Sequence, residues 1–352
     1  MYSTFTHATI VPKGGRRTDE SRPPLGRAAM SDIETIELAP GVHRVETVAE
    51  DGKLHGYHVL DGASGPVLVD SGYVDAPTQV YEPFLESQGL ALSDVSLALI
   101  THADADHFGG NAELRAHSPG ATIAIHRADA PLAESTARIL DRRYRMFADE
   151  HDLVYDRSVY DWLEGMMGPD EPIDLRLRGG ESIRVRDRTL TLLHTPGHTR
   201  GHLMLYDEAH DLVIGADGFF GRGLVDVDGE YLQPPPYFLY PEYENTIRLV
   251  EALNPEILSF THYEVLRGEE VGAFVQESLD FVAEIESVAL AVLDDHGTVT
   301  LTEAIEAVVD RRGDFGLNDD LAFPLTAHYG NLVERGVLER TERDGVVAWT
   351  RS

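Results

Sequence analysis

Thr101-His102-Ala103-Asp104-Ala105-Asp106-His107 is the stretch whose reading decides the fold of this chain. Two histidines and two aspartates stand within six residues, directly after an apolar run at 95–100 that reads as a buried strand. Such a run is too polar for a core and too dense in ligands for an ordinary solvated loop. Alternate residues of an extended segment point the same way, so His102 and Asp104 can share one metal ion. A turn after them redirects Asp106 and His107 toward a second. Six residues cannot close two coordination spheres, so distant loops must contribute. His198 behind Thr195-Pro196-Gly197, Asp217 behind Gly215-Ala216, and His262 each follow an apolar strand and complete the set. Oxygen and imidazole donors without sulfur suit Zn, Fe or Mn.

Working outward, the chain alternates strands and helices. Short β-like runs occupy 33–38, 42–48, 55–60 and 67–70, with Gly and Asp turns between them. A helix over 76–88, the strand 95–100, a helix over 109–116 and a strand over 121–125 follow. A long polar helical stretch, read as a lid or a surface helix pair, spans 131–167. Strands at 182–186, 189–194, 202–206, 211–216 and 256–260 alternate with loops, and a helix covers 242–253. Each His/Asp cluster falls at a strand's C-terminal end, where α/β proteins gather functional residues.

Composition narrows the function classes. The 352 residues hold no cysteine, which excludes disulfides, thiolate zinc sites and a cysteine nucleophile. No apolar run is long enough to span a bilayer, and the N-terminus lacks the apolar segment of a secretory signal, so the expected compartment is the cytoplasm. Residues 1–30 lack periodicity and are expected to be a disordered tail, with Met30 a candidate natural start. The 61 acidic and 29 basic residues give a net charge of −32, and only Lys13 and Lys53 are lysines. Scattered acids of this kind resemble proteins of salt-loving microbes, and they disfavour a broad nucleic-acid footprint.

After a catalytic segment at 31–267, residues 268–352 change texture. Helices are expected over 271–293, around 302–309 and over 321–335, then a hairpin turning at Arg343-Asp344-Gly345. Three helices and a hairpin suggest a winged-helix-like module. Its acids and bases balance over 321–335, which favours a structural or homodimerising appendage over nucleic-acid recognition.

THADADHFGG at 101–110 resembles the H-x-H-x-D-H signature of the metallo-β-lactamase superfamily, and its DHFGG end is similar to that of glyoxalase II. TPGHTRGHL, GADGFFG and FTHYE resemble the later metal motifs in order and approximate spacing, and LVDSG at 68–72 resembles the early strand and turn. The C-terminal module is similar to an extension on relatives of a mitochondrial ribonuclease. This resemblance implies an αββα sandwich with a small C-terminal helical domain. It implies His102, Asp104 and His198 at metal one, Asp106, His107 and His262 at metal two, and Asp217 as the bridge. Asp104 departs from the pattern, because most relatives carry His there. A carboxylate hardens the site, adds negative charge and favours Fe or Mn relative to Zn, much as in the flavodiiron proteins, which carry Glu at that place.

Two divalent ions, Zn foremost, imply a hydrolase in which a metal-activated hydroxide attacks a small ester, thioester or lactone, with Asp106 orienting the nucleophile or moving its proton. The loop 221–240, with its three prolines followed by Tyr237 and Phe238, is expected to form an apolar wall for that substrate. The alternatives are a two-metal ribonuclease or phosphodiesterase and an iron-dependent redox enzyme, a sulfur dioxygenase or di-iron type. A ribonuclease needs a basic patch, for which Arg138, Arg142, Arg143 and Arg145 are candidates; the other reading of those four is a solvated helix face. His126, His194 and His202 are read either as outer partners of the ligands or as ordinary strand and surface residues.

The acid excess carries its own prediction. The melting temperature should fall as KCl is lowered from molar to millimolar, because screening of the self-repulsion is withdrawn. A melting temperature flat across that range would refute the salt-adapted reading.

Overall fold

Period-two alternation along the strands builds two sheets back to back. The computed structural model describes residues 33–49, 52–313 and 319–352; the expected tail at 1–30 lies outside them. The first sheet runs in chain order: β1 (Glu34–Ala39), β2 (Val42–Val48), β3 (Leu54–Leu60), β4 (Val67–Val69), β5 (Leu97–Ile100), β6 (Thr122–His126) and β7 (Leu175–Leu177). Its first four strands pair antiparallel and β4 to β7 pair parallel. Strands β8 (Ser182–Val185), β9 (Arg188–His194), β10 (Leu203–Asp207) and β11 (Leu212–Ala216) belong to the second sheet. A small hairpin, β12 (Leu224–Val225) and β13 (Tyr231–Gln233), intervenes before β14 (Ile257–Phe260) and β15 (Leu266–Arg267) complete it, in the order β15-β14-β11-β10-β9-β8.

Odd and even residues of one strand serve different layers. Val67, Val69, Leu99 and Ala124 meet Leu203, Leu205, Leu212 and Ile214 between the sheets. The residues between them, Leu68, Ala98, Ile100, Ile123 and Ile125, face the other way. There they pack under α1 (Glu82–Ser87), α2 (Ala105–Phe108) and α3 (Asn111–His117). On the far side Met204, Val213, Leu258 and Phe260 pack under α8 (Glu242–Leu253) and α9 (Glu269–His296). This is the expected αββα sandwich. Strands buried on both faces account for the continuous apolar runs in the sequence, and each fully buried Leu, Ile or Val contributes about 1.5–3 kcal/mol.

The segment 131–167 departs from the long helices its pattern suggests. It is a chain of short turns: α4 (Ala130–Ala133), α5 (Thr136–Ile139), α6 (Ala148–His151) and α7 (Arg157–Met166), joined by a π-turn at Leu140–Tyr144. Asp152 adopts a left-handed conformation and ends α6. Burial explains the breakage, since Arg143, Phe147, Ala148 and His151 all point inward.

The C-terminal part has α9, β16 (Thr298–Thr300), α10 (Leu301–Arg312), α11 (Ala322–Glu334), β17 (Leu338–Arg343) and β18 (Val346–Arg351). Its strands form an antiparallel sheet in the order β16-β18-β17. Thr300 caps α10: it accepts from the Glu303 amide, while its own amide donates to Glu303. One apolar cluster runs from Phe219, Tyr243 and Ile247 through Phe274 and Phe281 to Phe323, Leu332 and Trp349. Among the described residues, no helix is long and apolar enough to cross a membrane.

His151 stacks on Trp349, ring centroids 5.3 Å apart, and joins 131–167 to the last strand. Burial pushes its pKa down to about 4, and its Nδ1 is buried without a hydrogen-bond partner. The folded chain therefore refuses a proton that the unfolded chain accepts below about pH 6.5. This contribution is fully present above pH 6.5 and is lost as pH falls toward 4. Denaturant titrations at pH 7 and pH 5 should show the pH-dependent loss reduced by about 2 kcal/mol in His151→Leu; an equal loss in both proteins would refute the assignment.

Candidate metal centre

The ligand run begins where β5 stops, and Asp70, one residue past β4, fixes it. Its Oδ1 accepts from the Thr101 amide at 2.6 Å, and the Thr101 hydroxyl lies 2.9 Å from both carboxylate oxygens. The same carboxylate holds His107 Nδ1 at 2.8 Å. Asp70 reaches these groups from a left-handed backbone, φ 69°. Ala216, just before Asp217, is also left-handed at φ 45°, and the register between β11 and β14 shifts there. Non-glycine residues in that region cost about 1–3 kcal/mol each, here at the two strand exits that aim carboxylates into the site.

The seven expected residues converge in adjoining groups: His102, Asp104 and His198; Asp106 and His262, with His55; and, between them, His102, His107 and Asp217. In the first, Asp104 Oδ2 lies 2.8 Å from His198 Nε2 and 3.7 Å from His102 Nε2, and the two imidazole nitrogens are 3.2 Å apart. In the second, His262 Nε2 lies 3.3 Å from Asp106, and His107 Nε2 lies 3.9 Å from it. Asp217 Oδ2 is 3.3 Å from His262 and 3.5 Å from His107; it also groups with His102 and His107.

The orientation of the imidazoles is the decisive geometry. Each Nδ1 is engaged outside the centre: His107 with Asp70, His102 with the Thr101 hydroxyl at 3.0 Å, His198 with the Pro236 carbonyl at 3.0 Å and His262 with the Leu54 carbonyl at 2.9 Å. In the neutral tautomer that this bonding favours, Nδ1 carries the proton and Nε2 the lone pair, so once a cation displaces any proton held on Nε2 all four rings can act as donors to one small space. His107 Nε2 and Asp217 Oδ1 are buried with no hydrogen-bond partner, a cost of about 1–3 kcal/mol each unless something cationic satisfies them. The donor set therefore fits divalent ions.

Electrostatics agree. Burial opposes ionisation of Asp217, yet the imidazoles of His262 and His107 hold its carboxyl well below the usual range. Burial likewise works against Asp104, and Arg143, His102 and His198 overcome it. Burial alone would lower His262, but Asp217 and Asp106 push it up to about 9. The carboxylates thus supply the negative potential that a cation would neutralise.

Several contributing residues escaped the sequence reading. His55 on β3 is fully buried and groups with Asp106 and His262; the Tyr73 hydroxyl contacts it. Its only signal was a histidine in a short strand that also carries His58. His202 is not an ordinary strand residue: its Nδ1 donates to Thr195 Oγ1 at 2.8 Å, and its Nε2 accepts the Asp217 amide at 3.2 Å. Burial drives its pKa well down, so it is neutral, as that bonding requires. Asp129 accepts the Ala103 and Gly201 amides at 3.1 and 2.7 Å and so ties two ligand loops together. A Cβ on Gly201 would meet that carboxylate, and one on Gly197, at φ 148°, would lie 2.7 Å from the Tyr243 backbone. His126 and His194 stack on each other, centroids 4.2 Å apart, and bond to the Arg178 and Arg200 carbonyls.

Of the four arginines, Arg138, Arg142 and Arg145 stay at the surface and Arg143 is withdrawn. Arg142 pairs with Asp141 at the surface, whereas Arg143 is buried against Asp104. The proline run, expected as a substrate wall, is buried from Pro234 to Tyr237 and contributes the Pro236 carbonyl that orients His198.

Residues 57–262 match the model of the metallo-beta-lactamase superfamily. The chain belongs to that superfamily. Its members' divalent-metal chemistry accords with the donor groups described above. Among relatives, the human protein named acyl-coenzyme A thioesterase MBLAC2 is 26% identical over 216 residues, covering 59% of this chain and 72% of that one. Hydroxyacylglutathione hydrolase of Rhodopseudomonas palustris is 28% identical over 169 residues, 48% of this chain and about half, 49%, of the relative. Among solved structures, a metallo-beta-lactamase family protein of Thermus thermophilus superposes with a TM-score of 0.70 at 20% identity, over 90% of this chain and all of that one. A beta-lactamase domain protein of Burkholderia ambifaria gives 0.66 at 19% identity, covering 91% and 95%. Both show that the fold is shared, including most of the C-terminal part.

Asp70→Ala should lower metal affinity about 10–100-fold, read by competition with a chromogenic chelator. Unchanged retention would mean that His107 orients itself without help.

Proposed function

We propose that this superfamily member is a hydrolase of small thioesters whose centre takes two divalent ions, Zn foremost and Mn or Fe as alternatives. The observation that carries the reading is the convergence of four Nε2 atoms and three carboxylates on one buried space, with every Nδ1 engaged elsewhere. His102, Asp104 and His198 would hold one ion, and Asp106, His107 and His262 the other, with Asp217 shared. Bound ions there supply polarisation of the substrate carbonyl and acidification of a water. The chain's own groups do the rest. Burial opposes the charge on Asp106, but His107 and His262 outweigh it and keep the carboxylate ionised at neutral pH; it is placed to orient the attacking water and to take its proton. His202 fixes the Asp217 backbone, and Phe220, with its ring 5.2 Å from that of His198, keeps that flank of the centre apolar. Both relatives named above carry thioester-hydrolase names, which supports the thioester over the ester or lactone.

Two observations favour the thioester reading over the ribonuclease one. The C-terminal order of helix, strand, two helices and two strands supports the winged-helix-like description, yet α11, the helix such a module would offer to a groove, is buried along most of its length. Arg143 is committed to Asp104.

The test is elemental analysis of protein purified without added metal, followed by a thioester screen at about pH 7.5. Two equivalents of metal with thioester turnover are expected. Asp217→Ala should lose metal from both halves and lower kcat at least about a hundredfold. Full two-metal occupancy in that variant would overturn the bridging role, and iron with oxygen consumption would favour the redox alternative.

A further inference from the structure

Asp104 has a partner that the sequence does not announce. Arg143 Nε donates to Oδ1 at 3.0 Å and Nη2 to Oδ2 at 2.9 Å, and its side chain is 4% exposed. The Tyr144 hydroxyl donates to the same Oδ1 at 3.3 Å. The guanidinium is also clasped by two rings, Phe238 at 5.2 Å and Phe323 at 5.0 Å. Phe323 belongs to α11 of the C-terminal part and makes an edge contact with Phe147, whose ring is 5.0 Å away. Meanwhile Asp104 Oδ2 still faces His198 and His102. One carboxylate is therefore shared between a metal half-site and a buried arginine.

We infer that Arg143, seated by Phe323 of the C-terminal part, is a positioning residue that weakens and tunes the His102–Asp104–His198 half of the centre, leaving it the looser of two unequal metal sites. The effect is electrostatic, and it rests on the metal-centre reading above. A carboxylate alone would give this half one more negative charge than an imidazole would. The guanidinium cancels that charge at hydrogen-bond distance, in a buried setting where screening is poor. The Asp104–Arg143 pair is thus neutral overall, as a histidine is, but its carboxylate is a harder donor that already accepts three hydrogens, two at Oδ1 and one at the Oδ2 that faces the half-site. In the Asp106–His107–His262 half the ion-pair contacts of Asp106 are with His55, His107 and His262, and the field of Lys53 also reaches it; none of these is a guanidinium bonded to both carboxylate oxygens.

The ring clasp makes the C-terminal part a contributor to the site. Cation–π contacts of desolvated arginines strengthen as water is removed, and here they hold the planar fork in register with the carboxylate. Loosening Phe323 frees Arg143 to turn from Asp104 without altering any metal ligand.

The experiment is calorimetric titration of Zn into the metal-stripped full chain, with circular dichroism and melting as folding controls. The unaltered chain should fill in two steps, the second weaker. Arg143→Met should tighten the second step about tenfold or more and leave the first unchanged. Arg143→Lys, which keeps the charge, should return it toward the original value, an outcome that a purely structural role would not produce. Phe323→Leu should shift the second step in the same direction as Arg143→Met, and it keeps the test open should Arg143→Met fail to fold. A second step unchanged or weakened in folded Arg143→Met or Phe323→Leu would overturn the inference while the metal centre stood. Absence of uptake by the unaltered chain would overturn the centre itself, and this inference with it.

Discussion

The carboxylate of Asp70 is the constraint on which the rest depends. Two parallel strands end side by side, and neither ending is regular: the chain after β4 must turn, and the chain after β5 must present four ligands in six residues. Asp70 bonds the Thr101 amide and hydroxyl and the His107 ring at once, so the start and the end of the ligand run are pinned by one group. Its left-handed backbone is a local cost that this bonding outweighs. Similar logic recurs around the centre. Asp129 joins the loops at Ala103 and Gly201, and Arg44 reaches from β2 to Ser259 and to the Phe260 and Tyr263 carbonyls on either side of His262. Each ligand loop is tied by a polar side chain from a different strand or loop.

The reading of Asp104 changes most between sequence and structure. A carboxylate where relatives carry histidine implies extra negative charge and a shift toward Fe or Mn. With Arg143 bonded to both its oxygens, the charge half of that reasoning is cancelled and only the oxygen donor remains. Metal preference at this half then rests on donor hardness and geometry rather than on net charge.

The candidate ligands stood out because they cluster at strand ends, and the sandwich was legible because strands buried on both faces read as unbroken apolar runs. The supporting groups were not. Asp129, Arg143 and His55 carry no local pattern: each acts across a distance in sequence that only tertiary packing closes. The short turns between Ala130 and Met166 look like helix from composition, since apolar residues recur there at helical spacing. Packing on two sides, against the centre and against the C-terminal sheet, breaks that periodicity into pieces. For His202 the sequence left an outer partner and an ordinary strand residue both open, because a backbone amide as its partner leaves no trace in sequence.

The stacking of His151 on Trp349 and of Phe147 against Phe323 has a consequence for biosynthesis. The segment that carries Arg143 completes its seat on elements translated far downstream of it. While a nascent chain emerges, the ligand run and its strands can assemble, but this cover waits for β18 and α11. The centre therefore reaches its final form late, after the scaffold around it is complete, and a chain interrupted early would hold Arg143 against Asp104 without the Phe323 ring.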